Sequence, residues 1–133
     1  MAFAAEHNIA LSVKSTGHDF QGRSINRNTL NVWLHNLKNV TYFEQWSPTE
    51  CDANEPPRKA MQVLGGDQWV DVNSLMTEVG VVVVGGNAQT VGAAGGYLAG
   101  GGHGALTAKH GLAVDNLLEV DIVIADGTLL TVN

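Results

Sequence analysis

Two histidine-containing stretches are the residues of this sequence best suited to holding a ligand. The first runs from Lys14 to Ser24 and combines small and hydroxyl residues with His18. Its literal spacing is close to that of a phosphate-binding P-loop, but such a loop must open a helix. The residues after Ser24 instead continue as loop and strand. The stretch therefore predicts a looser anion-binding loop, made of free backbone N–H groups around one histidine.

The second stretch, Thr90 to Gly104, is dominated by glycine. Nine of the 16 glycines of the chain lie between Gly85 and Gly104. Glycine allows a ligand or another backbone to approach where a Cβ would collide. No alignment of the stretch satisfies the Gly-x-Gly-x-x-Gly pattern of Rossmann domains. A short helix of small residues, lying against a flat ring or a diphosphate, is the expected alternative.

Four stretches, taken in order, resemble the PCMH-type FAD-binding domain shared by vanillyl-alcohol oxidase, p-cresol methylhydroxylase and berberine-bridge-enzyme-like oxidases. They are Val13 to Ser24, Val32 to Lys38, Gly85 to Leu106 and Gly111 to Gly127. The segment Trp33 to Lys38 is most similar to the fungal branch often labelled isoamyl-alcohol-oxidase-like. The resemblance covers more than half of the chain and implies an α+β fold in which two subdomains enclose FAD.

The resemblance also implies which residues contact FAD. Those around the diphosphate would be Ser15, Thr16, Gly17, His18, Asp19, Phe20, Gly22, Arg23 and Ser24. Those lining its other side and the isoalloxazine ring would be Thr90, Val91, Gly92, Gly95, Gly96, Gly100, Gly101, Gly102, His103 and Gly104. The adenine end would pass Asp115, Asn116, Val120 and Ile122. Asp115 and Asn116 could instead only shape a turn, and Tyr97 is expected to pack rather than to transfer a proton.

His18 stands where many relatives join a histidine covalently to the 8α carbon of the flavin. A histidine in a polar turn is also a common exposed residue, so both interpretations stay open. The cysteine that makes a second link in some relatives is replaced by Ala88, which excludes a cysteinyl link at this position. Cys51 is the single cysteine of the chain and lies far from it in sequence.

The activity implied is that of an FAD-dependent oxidoreductase. It would oxidise an alcohol-type small-molecule substrate by hydride transfer to FAD, with oxygen as the expected acceptor. A berberine-bridge-like biosynthetic oxidase and a non-catalytic remnant are the alternatives. No catalytic residue can be named, because a base must reach the substrate and the substrate-facing wall is expected outside these residues. Residues 1–133 are expected to form one such domain, truncated at both ends, without the family's first strand and substrate domain.

The elements that must position these stretches mix helix and strand patterns. A helix end at Ala2 to His7, with Asn8 in the left-handed conformation, precedes a strand at Ile9 to Val13. Leu30 to Leu34 and Val40 to Phe43 are predicted to pair with each other. The polar, proline-rich segment from Ser47 to Pro57 is predicted to be a surface excursion, followed by a strand at Met61 to Leu64.

A helix is predicted next, with Asp67 as its N-cap and Gly80 as its end. One face of it carries Trp69, Val72, Leu75, Met76 and Val79. Val81 to Val84 predicts a buried strand, because all four residues are β-branched. Leu117 to Ile124 and Thr128 to Val132 flank Asp126-Gly127, a strong hairpin signal.

Composition limits the remaining possibilities. A chain of 133 residues that is 44% hydrophobic is long enough for one domain with a core. The net charge of -6, without a basic run, argues against nucleic acid as a partner. The longest apolar run is far too short to span a membrane, and the N-terminus lacks a signal-peptide pattern. No carboxylate is spaced to form a metal site with His35 or His110, so no metal is expected, and the compartment stays open.

Overall fold

The computed structural model describes residues 1–49 and 56–133. Within these ranges the helices are α1 (Ala2–Glu6), α2 (Trp69–Val79), α3 (Gly96–Ala99) and α4 (Thr107–His110). The strands there are β1 (Leu11–Lys14), β2 (Leu30–Trp33), β3 (Thr41–Trp46), β4 (Arg58–Gln62), β5 (Val120–Val123) and β6 (Leu129–Val132). The described strands form three two-stranded sheets. The predicted α+β class is confirmed.

The first sheet is a parallel pair of β1 and β2, in which Leu11 lies opposite Leu30. The prediction that β2 would pair with the strand after it was wrong. Beyond β2, the N–H of Leu34 still donates to the carbonyl of Lys14 at 2.8 Å, so the chain after β2 continues to pair with β1. Parallel strands need a long crossover. The first candidate stretch supplies that crossover, and it includes a 3₁₀ turn at Arg23–Ile25.

The second sheet pairs β3 and β4 in antiparallel fashion, with Thr41 opposite Gln62. The strand predicted at Met61 to Leu64 thus ends two residues early. Its end has a physical reason, because the N–H of Leu64 donates to the carboxylate of Asp67 at 2.7 Å. Residues 50–55, with Cys51 and most of the predicted surface excursion, lie outside the described residues.

Helix α2 carries the central core of the described chain. Trp69 and Val72 are 4% and 0% exposed, and both pack with Ala93. The helix ends at Gly80 as predicted, and this glycine adopts the left-handed conformation. Its N-cap is Gln68 rather than Asp67. The carboxylate of Asp67 is instead buried and accepts the N–H groups of Leu64 and of Asn39.

The segment Val81 to Val84 was predicted as a buried strand, and that prediction was wrong. No described strand pairs with it, and the side chain of Val82 is 70% exposed. Val83 packs against the core cluster of α2. Side-chain packing, rather than a hydrogen-bonded ladder, therefore holds this run of branched residues.

The termini of the chain agree with their local sequence signals. Asn8 follows α1 with φ of 51°, as predicted. The hairpin of β5 and β6 forms around Asp126-Gly127, where Gly127 has φ of 92°. Strand β5 starts three residues later than predicted, at Val120, and a 3₁₀ turn at Val114–Asn116 lies before it. None of the helices in the described ranges is long and apolar enough to cross a bilayer.

Candidate functional site

The two histidine-containing stretches of the sequence meet in space. Nε2 of His18 and Oγ1 of Thr90 share a hydrogen bond of 2.9 Å, although 72 residues separate them. Beside this contact, the hydroxyl of Ser15 donates to the carbonyl of Gly65 at 2.6 Å. Gly92 lies against that hydroxyl, and a Cβ at position 92 would collide with it. The site thus joins the β1–β2 loop to the segment that follows α2.

The first loop is exposed and offers backbone donors. Gly17 has φ of 88°, a conformation that L side chains rarely adopt. In the described part of the chain, the N–H groups of Thr16, Gly17 and His18 have no hydrogen-bond acceptor. The side chain of Phe20 is fully exposed. Free N–H groups in succession are the usual means by which a loop binds an anion.

The one carboxylate of this loop is neutralised locally. Nη2 of Arg23 lies 2.6 Å from Oδ1 of Asp19, and the N–H of Arg23 donates to Oδ2 at 2.7 Å. The hydrogen bonds from the Arg23 side chain, and then from its backbone, hold the pKa of Asp19 below its ordinary value. Asp19 is therefore ionised and paired at neutral pH, so its charge opposes a bound anion less than a free carboxylate would.

The second stretch is docked on the start of α2. The N–H of Val70 donates to the carbonyl of Gln89 at 2.9 Å, and the N–H of Trp69 to that of Val91 at 3.0 Å. The first N–H groups of a helix have no partner within the helix. Here they bind the backbone on either side of Thr90, and this places the Thr90 hydroxyl beside His18.

The glycines of the second stretch fall into two groups. Gly102 and Gly104 lie against the protein itself, because a Cβ there would meet Tyr97, Ala113 or the backbone of Gly85. In contrast, a Cβ on Gly95 or Gly96 would project into open space. Contact of FAD with any of them stays a prediction, and the open pair leaves room for it.

Tyr97 packs as predicted. Its ring meets that of Trp69 edge to face, with centroids 5.0 Å apart. Its hydroxyl donates to the carbonyl of His103 at 3.0 Å, and partial burial raises the pKa of the phenol. The residue closes the loop that follows α3, while the side chain of His103 itself is exposed.

Two of the residues predicted for the adenine end, Asp115 and Asn116, shape a turn. Oδ2 of Asp115 accepts the N–H of Leu112 at 2.8 Å, and the Asn116 amide donates to the carbonyls of Leu112 and His110. The turn is joined to the second stretch, since the N–H of Ala113 donates to the carbonyl of Gly102 at 2.8 Å. Val120 and Ile122 follow on β5. Their contact with adenine stays a prediction.

Sequence reasoning missed Gln68, whose Nε2 donates to the carbonyl of Thr90 at 2.9 Å. No local pattern links the two positions, which lie 22 residues apart. Among the described residues, no group of three or more His, Cys, Asp or Glu side chains could hold a metal ion.

These features fit FAD. The loop offers free N–H groups for a diphosphate, and Gly95 with Gly96 leaves space for a flat group. Within the described chain, the Ser24 hydroxyl is buried without a hydrogen-bond partner, which is costly unless a ligand atom meets it. The residues that would hold the cofactor therefore come from both stretches.

Comparison with known proteins gives the family. The sequence model of a family described as an FAD binding domain matches residues 1–133. An FAD-linked oxidoreductase of Arthroderma benhamiae is 42% identical over 131 residues, which are 98% of this chain and 23% of that protein. FAD-linked oxidoreductase ZEB1 of Gibberella zeae is 43% identical over 133 residues, covering 100% of this chain and 22% of the relative.

A solved structure agrees with these relatives. The VAO-type flavoprotein MtVAO713 from Myceliophthora thermophila C1 superimposes with a TM-score of 0.88 at 39% identity, covering 97% of this chain and 23% of that one. The chain belongs to the FAD-binding domain family of the FAD-linked oxidoreductases, with the partial PCMH-type fold of the VAO-type flavoproteins. It spans 22% to 23% of the length of these relatives.

Proposed function

We propose that this chain is the FAD-holding part of an oxidoreductase that oxidises an alcohol-type small molecule by hydride transfer, with oxygen as the acceptor. The observation that carries the proposal is the 2.9 Å contact between His18 and Thr90. It joins the two stretches that the family resemblance assigns to opposite sides of one cofactor. FAD supplies the redox chemistry, and the protein supplies binding and orientation.

The residues of the chain divide this work. The free N–H groups of Thr16, Gly17 and His18 would bind the diphosphate, and the ion pair of Asp19 with Arg23 reduces the repulsion there. The stretch around Gly95 and Gly96 would admit the ring system, since no side chain fills that space.

His18 is proposed as the covalent attachment point. Its Nε2 is engaged by Thr90, and in the described chain Nδ1 has no partner, so Nδ1 is the nitrogen available for attachment. Attachment would exchange an imidazole N–H bond and a flavin C8α–H bond for one N–C bond. The two protons and two electrons released would pass to oxygen and would give hydrogen peroxide.

FAD retention tests the binding part of the proposal. The chain is incubated with FAD in air and precipitated with acid, and the pellet is examined for flavin fluorescence. We expect retained flavin for the wild type and none for His18→Ala. His110→Ala is the matched control, because His110 is an exposed histidine on α4. Flavin that stays with His18→Ala would refute the attachment, and absence of any FAD binding would refute the proposed function.

Substrate oxidation is tested separately. The chain loaded with FAD is mixed with a series of primary and benzylic alcohols, and oxygen uptake and hydrogen peroxide are followed. Peroxide that depends on one class of alcohol supports the oxidase proposal. Because the substrate-facing wall is expected outside residues 1–133, a loaded chain that gives no peroxide would refute turnover by these residues alone and would leave the holding of FAD.

A further inference from the structure

A side chain outside both candidate stretches connects them to the core helix. Gln68 immediately precedes α2, and its amide binds the carbonyl of Thr90, whose hydroxyl meets His18. We propose that Gln68 is a positioning residue for His18 and acts through Thr90. The inference rests on the proposed function, in which His18 is the attachment point.

The Gln68 amide has a single satisfactory orientation. Its Oε1 accepts from Nζ of Lys38 at 3.3 Å, while its Nε2 donates to the Thr90 carbonyl at 2.9 Å. An ammonium can only donate and a carbonyl can only accept. A flipped amide would therefore lose both contacts. Lys38 is itself held by Asp71, with Nζ and Oδ2 2.6 Å apart.

Three consecutive carbonyls are bound to the start of α2. Those of Gln89 and Val91 accept backbone N–H groups of the helix, and that of Thr90, between them, accepts the Gln68 side chain. Peptide planes on both sides of the Thr90 Cα are thus fixed. Because χ1 of threonine has few allowed rotamers, a fixed backbone restricts the direction of the Thr90 hydroxyl.

The other partner of that hydroxyl is loosely held. His18 is exposed, and among the described residues its imidazole hydrogen-bonds only to Thr90. The ring nitrogen that Thr90 engages determines which nitrogen is left free. The N–H of Val91 also donates to the carbonyl of Ala88 at 3.1 Å. Gln68 therefore shares in fixing Thr90 and, through it, contributes to the orientation of His18 without touching it. The segment stays docked without Gln68, since the two backbone hydrogen bonds remain.

Gln68→Glu tests this role at nearly constant shape. The carboxylate still accepts from Lys38, but in place of the Nε2 donor it puts an oxygen beside the Thr90 carbonyl, and this oxygen cannot donate. The first readout is the pair of imidazole ¹⁵N signals of His18 in the FAD-free chain. We expect them to be well separated in the wild type and to approach the values of free histidine in the variant. The second readout is the rate of covalent flavin retention, which should fall about tenfold for one lost hydrogen bond.

Lys38→Met is the matched control. It removes the contact on the other side of the amide and leaves the bond to Thr90, so its His18 signals and retention rate should stay near those of the wild type. A folded Gln68→Glu with wild-type signals and rate would overturn the inference. If that variant does not fold, Gln68→Met is used instead, because it removes the donor without adding charge. Wild-type signals in folded Gln68→Met would overturn the inference equally.

Failure of this inference differs from failure of the proposed function. If His18→Ala retains covalent flavin, the attachment point is wrong. The ¹⁵N signals need no FAD, so they still decide whether Gln68 orients His18. Thr90→Ser, which keeps the hydroxyl, should restore the signals that Thr90→Val loses. Equal signals in these two variants would overturn the part assigned to Thr90.

Discussion

The two sides of the site are held in opposite ways. The segment from Asp67 to Ala93 contains α2 with the buried cluster of Trp69 and Val72. The later part of the segment is bound to the start of α2 by backbone hydrogen bonds. The loop from Ser15 to Ser24 is largely exposed and is organised by the local pair of Asp19 and Arg23. The segment from Asp67 to Ala93 is therefore a packed wall. The loop from Ser15 to Ser24 lies against this wall and depends on it for its position.

This difference separates stability from binding. Regions with few buried apolar contacts open at low cost, whereas a core opens only with the whole domain. Substitutions in the wall should lower the free energy of unfolding, and those in the loop should act on cofactor binding with little effect on unfolding. The Thr90–His18 contact is where one side influences the other.

The largest effect is expected for Trp69→Ala in the wall. The side chain is 4% exposed and touches Ala93 and Tyr97. Removing a buried aromatic leaves a cavity and costs about 3 to 5 kcal/mol. Urea denaturation followed by circular dichroism measures the loss. Val82→Ala, at a side chain that is 70% exposed, is the control and should change stability by less than about 0.5 kcal/mol.

Gly66→Ala should cost somewhat less, about 3 kcal/mol, as a case of overpacking. A Cβ there would meet the carbonyl oxygens of Leu34, Leu37 and His35, which belong to backbone and cannot rotate away. Gly65→Ala is the matched control, because its Cβ meets only the Leu34 side chain, whose end can move. Equal losses in urea denaturation would contradict this account of the packing just before the wall.

Local signals in the sequence predicted the fold where the structure is local. The end of α2 at Gly80 and the hairpin at Asp126-Gly127 follow from one or two residues each. The pairing of β2 could not be predicted in this way. It joins residues on either side of the whole first loop, such as Leu11 and Leu30. Alternating strand patterns carry no information on the partner strand.

The residues of the site also divide into those that the sequence could predict and those that it could not. The resemblance marked His18 and Thr90, and the structure brings them together. Gln68 could not be found, because its role depends on the carbonyl it faces and not on its type. Nor does sequence show why a glycine is present: Gly86 makes room for Trp69, whereas Gly96 faces open space.

A pair of glycine variants sharpens the contrast. Gly92→Ala would push the Ser15 hydroxyl away from the Gly65 carbonyl, and a lost hydrogen bond of this kind costs about 1 to 2 kcal/mol. Gly96→Ala has room for its Cβ and should fold as well as the wild type or slightly better. If the open space admits FAD, that variant should raise the Kd about tenfold, or ~1.4 kcal/mol.

Fluorescence titration with FAD and urea denaturation of both variants give the comparison. Gly96→Ala with wild-type affinity would show that the second stretch does not line the cofactor. Gly92→Ala with wild-type stability would show that Ser15 adjusts freely and that the loop is not tied to the wall at that point.

The smallest effect is expected for acidification of the loop. Hydrogen bonds from Arg23 lower the pKa of Asp19 in the folded chain relative to about 3.9 in the unfolded chain. The pair is therefore complete above that unfolded value, and it is lost as the pH falls through the lower folded value. The Arg23 side chain is exposed and that of Asp19 is only partly buried, so denaturation should register little of the loss.

The amide signal of Arg23 should register it instead, because this N–H donates to the carboxylate that becomes protonated. We expect the signal to titrate below the ordinary aspartate range in the wild type and to be insensitive in Asp19→Asn. In Arg23→Lys the midpoint should rise toward the ordinary value, since an ammonium cannot form the two-pronged contact of a guanidinium. Unfolding of α2 in the same pH interval would mean that the loop and the wall form one cooperative unit, against the division made above.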